Sequence, residues 1–386
     1  MLKAEEKSFR FTHEAMSTFF EVFIGGQEEA YARSAAAEFF REIDRLEEFL
    51  SRFDQRSEIA RINRLKLGEV LPISYETFEC LKLSFQIMVE TGGAFNINFR
   101  ALKSWVSEKN RRETARKENV AFLKKSPSVK GSHWKTEMNE RKSPDVKREV
   151  NGKKTDKESG NSSRNRGPHH KAKFFETDSA AAAKNFLSHS ADLSDRHPGK
   201  DLKRSEKDYL WLFPLELVES GGNYAAVRLD LPGLSLDLDL GAVGKGYALN
   251  RAAEVLTAWD IDEFLVSAGG STVLGCGQKP WPVAVGGGFE FFKPGKIYLK
   301  NRALSGSGHE VKGEHIFDPR LGRSRSRHLA AWVSHPSPVV ADALSTAFMV
   351  MSLDEIESYC KARPEVWTLI ISRDKKSHLF NRMSLK

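Results

Sequence analysis

Cysteine is scarce in this chain of 386 residues, which contains only Cys80, Cys276 and Cys360. Their wide separation gives neither the paired spacing of a zinc cluster nor the framework of a disulfide-rich secreted domain. The three thiols are therefore expected to be buried or incidental, as in proteins of a reducing compartment.

Long apolar runs are also missing from the sequence. No stretch reaches the roughly 18 apolar residues that a membrane span needs, so no span is expected. The first seven residues, MLKAEEK, are charged and contain neither the apolar core of a signal peptide nor a lipobox. If the chain starts here, we expect a cytoplasmic protein.

Acidic residues are too few to balance the basic ones, and the net charge is +8. The excess is local, because residues 103–208 hold 27 lysines and arginines against 16 acidic residues. The rest of the chain holds 33 basic and 36 acidic residues, which makes it mildly acidic. A solvated basic segment attracts polyanions only weakly, so no specific binding of nucleic acid is expected.

Hydrophobic periodicity predicts folded segments on both sides of this basic stretch. The predicted helices are 28–53, 57–63, 74–90, 245–259 and 341–351. The predicted strands are 16–24, a hairpin within 215–231, 234–240, 263–267, 281–285 and 296–299. Because strands and helices alternate irregularly, the pattern favours an α+β fold with mixed sheets and packed helices.

The basic stretch itself is rich in lysine, arginine, serine, asparagine and glutamate. Such a composition buries too little apolar surface to offset the entropy of ordering. We therefore expect residues 106–207 to form a long, mostly disordered insertion within one domain, whose folded halves are 9–105 and 208–372. A linker between two independent domains is the alternative.

Asp342 and Thr346 form the first chemical motif. Their spacing of four residues puts both on one face of a predicted helix. A carboxylate and a hydroxyl together suit a hard cation such as Mg²⁺. Alternatively, Asp342 charges or caps the helix start and Thr346 bonds a backbone carbonyl, and spacing alone favours this alternative.

A second motif is the glycine-rich stretch DLDLGAVGKGY at 237–247, between a predicted strand and a predicted helix. Backbone N–H groups at such a turn can hold a phosphate, with Lys245 nearby. The spacing matches neither the Walker nor the Rossmann glycine pattern. Taken alone, the stretch could equally be an ordinary turn.

Three further motifs are modest on their own. His315, in GEHIFDPRLG, could act as a general base near neutral pH, or could simply bond the turn that follows it. The glycines of SAGGS at 267–271 and of TGGAFNIN at 91–98 allow a ligand to approach the backbone closely. Ordinary glycine turns are the alternative for both.

The order of the motifs is more specific than any one of them. Along the chain come AMST at 15–18, SRFD at 51–54 with Ser57 and Asn63, TGGAFNIN, DLGAVGKGYA, AGGS, HIFDPRLG and ADALST. In this order the motifs resemble the ApbE family of FAD:protein FMN transferases. The resemblance covers about residues 9–105 and 210–370, nearly everything except the basic stretch.

The resemblance implies an ApbE-like, T-fold-related fold that binds FAD and Mg²⁺ in a cleft. It also implies transfer of FMN from FAD to a threonine of a target flavoprotein through a phosphoester bond, with release of AMP. Some relatives instead hydrolyse FAD to FMN and AMP, and the family is often exported.

Residue by residue, the resemblance implies metal ligation by the Ala242 carbonyl, the Asp342 carboxylate and the Thr346 hydroxyl. It implies His315 as the base that deprotonates the acceptor threonine, with Asp342 as the second catalytic residue. The implied flavin contacts are Met16, Phe53, Ala94, Phe95, Asn96, Asp239, Lys245 and Ile316.

Several positions depart from the family pattern: Ser17, Asn96, Asn98, Asn250 and Ser271. An amide in place of a carboxylate keeps hydrogen bonding but removes a charge. Lower flavin affinity or turnover is therefore expected, and a divergent flavin-binding protein without catalysis is a further alternative.

Overall fold

The computed structural model describes residues 8–108, 213–229, 231, 234–285, 291, 295–308 and 316–381. Residues 99–108 are helical. In chain order the other elements are β1 (Ser8–Ala15), β2 (Thr18–Gly25), α1 (Glu29–Leu50), α2 (Glu58–Ile62), β3 (Val70–Ile73), α3 (Tyr75–Glu90), β4 (Leu215–Ser220), β5 (Asn223–Arg228), α4 (Gly244–Ala258), β6 (Phe264–Ala268), β7 (Thr272–Cys276), β8 (Trp281–Val285), β9 (Gly295–Leu299), β10 (Arg302–Gly308), β11 (Phe317–Asp318), β12 (Arg323–Ser324), β13 (His328–His335), α5 (Pro338–Phe348), α6 (Leu353–Lys361), β14 (Trp367–Ser372) and β15 (Ser377–Phe380).

An eight-stranded antiparallel sheet organises the fold, in the order β1-β2-β6-β7-β10-β13-β14-β15. β2 and β6 are adjacent in this sheet although the whole basic stretch lies between them in sequence. Segments from both sides of that stretch therefore build one compact unit, comprising Met1–Arg112 and Pro198–Lys386. The α+β fold is confirmed, whereas the predicted disorder lies almost wholly on residues outside those described.

Helices α1, α4 and α5 form a layer against this sheet, in which α4 contacts both α1 and α5. Buried residues recur along α1 at steps of three and four: Ala32, Ala35, Ala36, Phe39, Ile43, Leu46 and Leu50. Each large apolar side chain buried in this way contributes about 1.5–3 kcal/mol to stability. None of the helices in the described ranges combines the length and apolar character that crossing a bilayer requires.

The strand predicted for 16–24 forms as β2, which begins at Thr18 and pairs with β1 in a hairpin. Ala15 pairs with Thr18, so Met16 and Ser17 form a two-residue turn. Both have positive φ, 50° and 58°, which suits the right-handed twist of a hairpin but disfavours residues other than glycine. Ser17, where the family usually has glycine, is therefore strained.

The strand predicted for 234–240 does not form, although its alternation of apolar and polar residues is strict. Two amide side chains take the place of a neighbouring strand. Asn63 bonds both the N–H and the C=O of Leu238, at 2.7 and 3.1 Å. Asn98 accepts from the N–H of Asp237 at 2.8 Å and donates to the C=O of Ser235 at 3.1 Å.

Most other predicted elements form with ends shifted by a few residues. Ser57 caps α2, as predicted, by accepting from the N–H of Ala60 at 3.0 Å. Sequence periodicity did not predict β10, whose residues are RALSGSG. Ser305 lies against Thr272 and Gly306 against the Trp332 ring, so small residues replace the usual apolar ones there.

Candidate functional site

The first turns of α4 and α5 pack directly against each other. Gly246 lies at the contact, where an added Cβ would fall 2.9 Å from the Pro338 carbonyl carbon and 3.0 Å from the Asp342 Cβ. Ser337 caps α5 and Pro338 begins it. The sequence brings the two helix starts together because only a hydrogen separates their backbones at Gly246.

Asp342 lies on α5 at this contact and is 4% exposed. Its Oδ1 accepts hydrogen bonds from the hydroxyls of Thr272 at 3.2 Å and Ser305 at 3.3 Å. Its Oδ2 accepts from the N–H of Gly246 at 3.2 Å and lies 3.6 Å from Lys245 Nζ. These donors offset the cost of burying the carboxylate.

A hydroxyl network extends from Asp342 towards Thr346. Ser345 Oγ donates to the Asp342 carbonyl at 2.9 Å and also lies 2.9 Å from Ser307 Oγ. Ser307 Oγ in turn lies 3.4 Å from Thr346 Oγ1. The site thus presents one carboxylate and several neutral oxygens.

Lys245 connects Asp342 to the glycine-rich loop. Its Nζ donates to the Gly241 carbonyl at 2.6 Å, and the Gly241 N–H donates to Asp239 Oδ1 at 2.9 Å. Ala242, the predicted carbonyl ligand, follows Gly241 and is half-buried. Val243, at the N-cap of α4, makes no side-chain cap, and the N–H groups of Gly244 and Gly246 bond instead to the Leu240 carbonyl and to Asp342. The helix start still directs the positive end of its dipole towards this loop.

Arg52 ties a second loop to this one. It bonds Asp239 at 3.0 Å and Asp237 at 2.8 Å, and Arg100 bonds Asp237 at 3.1 Å. The guanidinium of Arg52 also lies 5.4 Å from the ring centroid of Phe53, whose side chain is 79% exposed. Phe53 therefore offers an open aromatic face beside the loop that holds Asp239.

The TGGAFNIN loop contacts the segment that carries Asp239, and its side chains at 94–96 are buried. Ala94, Phe95 and Asn96 are at most 5% exposed. Asn96 Oδ1 accepts from the N–H of Asn98 at 2.7 Å, and the Ile97 carbonyl accepts from the N–H of Asp239 at 2.8 Å. Asn96 and Asn98 thus make hydrogen bonds to backbone groups. A buried amide suits this role better than a charged carboxylate would.

The AGGS turn links the β1–β2 hairpin to the surroundings of Asp342. Gly269 has φ +59° and packs against Thr18, two residues after the half-buried Met16. The Ser271 carbonyl accepts from the N–H of Gly306 at 2.8 Å and from Ser305 Oγ at 3.2 Å. Contacts therefore run from the predicted motif at 15–18 through this turn to Asp342.

The described part of the HIFDPRLG motif contacts the segment just after α5, where Arg320 donates to the Val350 carbonyl at 3.0 Å. The Ile316 carbonyl accepts from the N–H of Arg325 at 3.2 Å. Asp318 is 1% exposed and pairs with Arg320, which also bonds Glu355 at 2.8 Å. His315 lies outside the described residues, so its role stays a prediction.

Another histidine lies near the start of α5. Burial lowers the pKa of His335, whose Nδ1 accepts a hydrogen bond from the N–H of Ser337 at 3.0 Å. The neutral imidazole therefore supports the N-cap of the helix that carries Asp342.

Sequence reasoning missed the hydroxyl groups around Asp342 and Thr346, namely those of Thr272, Ser305, Ser307 and Ser345. The signal that could have found them is the small, polar LSGSG run, which is unusual in a buried strand and indicates close approach of a neighbour.

Comparison with known proteins decides the family. The sequence profile of the ApbE family matches residues 16–154 and 211–370. The chain belongs to the ApbE family. The predicted resemblance is thereby confirmed.

Curated relatives within the ApbE family match over part of their length. An FAD:protein FMN transferase of Rhodobacter capsulatus is 35% identical over 127 residues, covering 30% of this chain and 24% of that protein. One from Escherichia coli K12 is 32% identical over 145 residues, covering 32% and 39%. One from Salmonella typhimurium is 28% identical over 163 residues, covering 37% and 44%. The matches thus span 24% to 44% of the length of these relatives.

Solved ApbE structures share the fold over nearly the whole chain. The flavinyl transferase ApbE of Pseudomonas stutzeri has a TM-score of 0.60 and 18% identity, covering 98% of this chain and 96% of that one. The flavin transferase ApbE of Vibrio cholerae has a TM-score of 0.61 at the same identity, covering 97% and 98%.

Proposed function

We propose that this protein transfers FMN from FAD to a threonine hydroxyl of a target flavoprotein, using Mg²⁺ and releasing AMP. The observation that carries the proposal is the buried carboxylate of Asp342, held where two helix starts meet the glycine-rich loop. Curated relatives named FAD:protein FMN transferase support the reaction class.

The donor set fits a hard divalent cation. Asp342 and Thr346 would supply a carboxylate and a hydroxyl, and Ala242 would supply a backbone carbonyl from the adjoining loop. Within the described ranges, no group of three His, Cys, Asp or Glu side chains gathers as a metal cluster. A site with one carboxylate and neutral oxygens suits Mg²⁺, which usually completes its shell with water and substrate phosphates.

FAD binding is assigned to the loops around this carboxylate. The start of α4 and Lys245 would hold the pyrophosphate, since the positive end of a helix dipole and an ammonium favour an anion. The exposed ring of Phe53 would stack on one of the two ring systems of FAD. Met16, Asp239, Ile316 and the 94–96 loop would border the flavin.

The reaction balances as a phosphoryl transfer. The threonine oxygen forms a bond to the FMN phosphorus, the anhydride P–O bond to AMP breaks, and AMP leaves with the electron pair. The threonine proton passes to a base, for which we propose His315. When bound, the cation would neutralise negative charge on the pyrophosphate oxygens.

The test combines product analysis with cation binding. Purified protein, FAD, Mg²⁺ and a candidate flavoprotein are incubated, and mass spectrometry looks for a gain of one FMN on a threonine. Free FMN and AMP formed without an acceptor would identify a hydrolase instead. Bound FAD that stays unchanged would identify a non-catalytic flavin-binding protein.

A matched pair of variants tests the cation assignment. Asp342→Asn should abolish both turnover and Mn²⁺ binding measured by calorimetry. Asp354→Asn, at an exposed position in the first turn of α6, should change neither. Normal Mn²⁺ affinity in Asp342→Asn would refute the assignment of Asp342 as a ligand.

A further inference from the structure

Arg52 lies in the loop between α1 and α2, where local hydrogen bonds hold the backbone. Ser51 Oγ accepts from the N–H groups of Phe53 and Asp54 at 3.3 and 3.4 Å. Ser57 Oγ donates to the Ser51 carbonyl. The guanidinium of Arg52 therefore extends from an ordered loop, and its side chain is only 18% exposed.

This guanidinium lies between two carboxylates of the segment that precedes the glycine-rich loop. One terminal nitrogen donates to Asp239 Oδ2 at 3.0 Å and the other to Asp237 Oδ1 at 2.8 Å. Asp237 has a second cationic partner, Arg100, at 3.1 Å. Within the described ranges, Arg52 is the one cation that pairs with Asp239, so the neutralisation of this carboxylate depends on Arg52.

Asp239 connects Arg52 to the turn that carries the proposed carbonyl ligand. Its Oδ1 accepts from the N–H of Gly241 at 2.9 Å, and a Cβ added at Gly241 would lie 3.1 Å from the same oxygen. Arg52 engages Oδ2 and the turn engages Oδ1, so the carboxylate is fixed against the turn. Gly241 directly precedes Ala242, and its carbonyl accepts from Lys245 Nζ at 2.6 Å.

The backbone of this segment has supports that do not involve Arg52. The N–H of Asp239 donates to the Ile97 carbonyl at 2.8 Å. Asn63 bonds the N–H and the C=O of Leu238 at 2.7 and 3.1 Å. Loss of Arg52 would therefore release the Asp239 side chain while the backbone around it stays anchored.

We propose that Arg52 is a positioning residue for the cation, which fixes the turn carrying the Ala242 carbonyl by holding Asp239 against the Gly241 N–H. The inference rests on the proposed function, which assigns Ala242 as a ligand. Without Arg52, a half-buried carboxylate is left without its cationic partner and is free to rotate towards solvent. Groups that orient metal ligands from outside typically change metal affinity by about 10–100-fold.

The charge of Arg52, taken alone, predicts the opposite effect on cation binding. A positive charge beside the site repels a divalent cation, and its removal would also leave Asp239 without neutralisation. Electrostatics therefore predicts tighter cation binding when Arg52 is replaced by a neutral residue. Positioning predicts weaker binding, so the sign of the change separates the two effects.

The experiment measures Mn²⁺ binding to the full chain by calorimetry, without FAD. Arg52→Gln should bind Mn²⁺ about tenfold or more weakly than the original protein. The matched control is Arg100→Gln, which removes the same charge and a bond to Asp237 but leaves Asp239 paired. This control should bind Mn²⁺ as tightly as the original protein or slightly more tightly.

Equal losses in the two variants, or unchanged or tighter binding in Arg52→Gln, would overturn the proposal. Thermal unfolding shows that each variant is folded. Arg52→Lys is the second variant, because an ammonium keeps the charge but lacks the planar fork that reaches both carboxylates. It should also bind Mn²⁺ more weakly than the original protein, and unchanged affinity would contradict a role for the fork.

A double-mutant cycle tests whether Arg52 acts through Asp239. Asp239→Asn keeps an acceptor for the Gly241 N–H but removes the charge that Arg52 neutralises. In this background, Arg52→Gln should change Mn²⁺ affinity less than about twofold, because the two substitutions interrupt one pathway. A general effect on folding would instead give the same loss in both backgrounds, and that result would exclude the route through Asp239.

Cation affinity is measured without turnover, which separates this proposal from the proposed function. If the original protein transfers no FMN but Mn²⁺ affinity falls only in Arg52→Gln, the result counts against the transferase reaction and not against positioning. If the original protein transfers FMN and Arg52→Gln keeps its Mn²⁺ affinity, the result counts against positioning alone.

Discussion

Replacing Gly246 with alanine would put a methyl group into the contact between the starts of α4 and α5. The added Cβ would lie 2.9 Å from the Pro338 carbonyl carbon and 3.0 Å from the Asp342 Cβ, and closer still to the Pro338 oxygen. Carbon atoms prefer about 3.5–4.0 Å, so the two helices would have to separate by about 1 Å. Because the obstacle is backbone, no side-chain rotation relieves it.

The expected cost follows from two opposing effects. Overpacking of this kind costs about 1–3 kcal/mol. Alanine gains up to about 1 kcal/mol over glycine as a helix former, and less in a first turn. We therefore expect a net loss of about 1–2 kcal/mol in the free energy of unfolding, together with a longer bond from residue 246 to Asp342 Oδ2.

Gly244→Ala provides the matched control, two residues earlier in the same helix. There the added Cβ would meet the Leu240 Cβ at 3.5 Å, an ordinary contact. This variant should therefore be as stable as the original protein or slightly more stable. Urea unfolding compares stability, and Mn²⁺ calorimetry shows whether the cation site moves with the helices. Equal stability and equal cation affinity of the two variants would refute the close packing of α4 against α5.

Three further substitutions test separate parts of the structure. Ser17→Gly should stabilise by about 1 kcal/mol in thermal unfolding, because it relieves a left-handed residue in the hairpin turn. Thr272→Val should weaken Mn²⁺ binding while Thr272→Ser keeps it, because the valine cannot donate to Asp342 Oδ1. Burial lowers the pKa of His328, so below about pH 6.5 the unfolded chain binds a proton that the native protein does not. Stability in urea should therefore fall from pH 7.5 to 5.5, and His328→Gln, which can still donate to Met351, should flatten that slope.

Elements with a strong local signal could be predicted from the sequence. α1 shows the three- and four-residue period over six turns, and α2 and α3 each start at a serine that accepts from the backbone. Periodicity failed where tertiary partners replace regular ones. The 234–240 segment alternates as a strand does because it is extended and half-buried, yet its partners are the amides of Asn63 and Asn98.

The site could be predicted only as a set of motifs. Spacing along the chain does not reveal that Thr272 and Ser305, from different strands, meet at one carboxylate. Spacing also does not show whether an asparagine in place of an acidic residue weakens the site or makes a structural hydrogen bond elsewhere. Asn96 stands where the family commonly has aspartate, but its side chain is buried and accepts from the N–H of Asn98 at 2.7 Å, so the missing charge does not lie in the open site.

The alternative for Asp342, that it caps or charges its own helix start, can now be judged on geometry. Ser337 caps α5, and Asp342 directs its oxygens to other elements: Oδ1 to β7 and β10, Oδ2 to the start of α4. A capping residue has no need of three partners far away in sequence. Because two buried hydroxyls hold Oδ1, the carboxylate can turn only Oδ2 towards Lys245 and the glycine-rich loop. The same constraint would aim that oxygen at a cation bound between Ala242 and Thr346, so the hydroxyls on β7 and β10 should matter to cation affinity although they touch neither cation nor flavin.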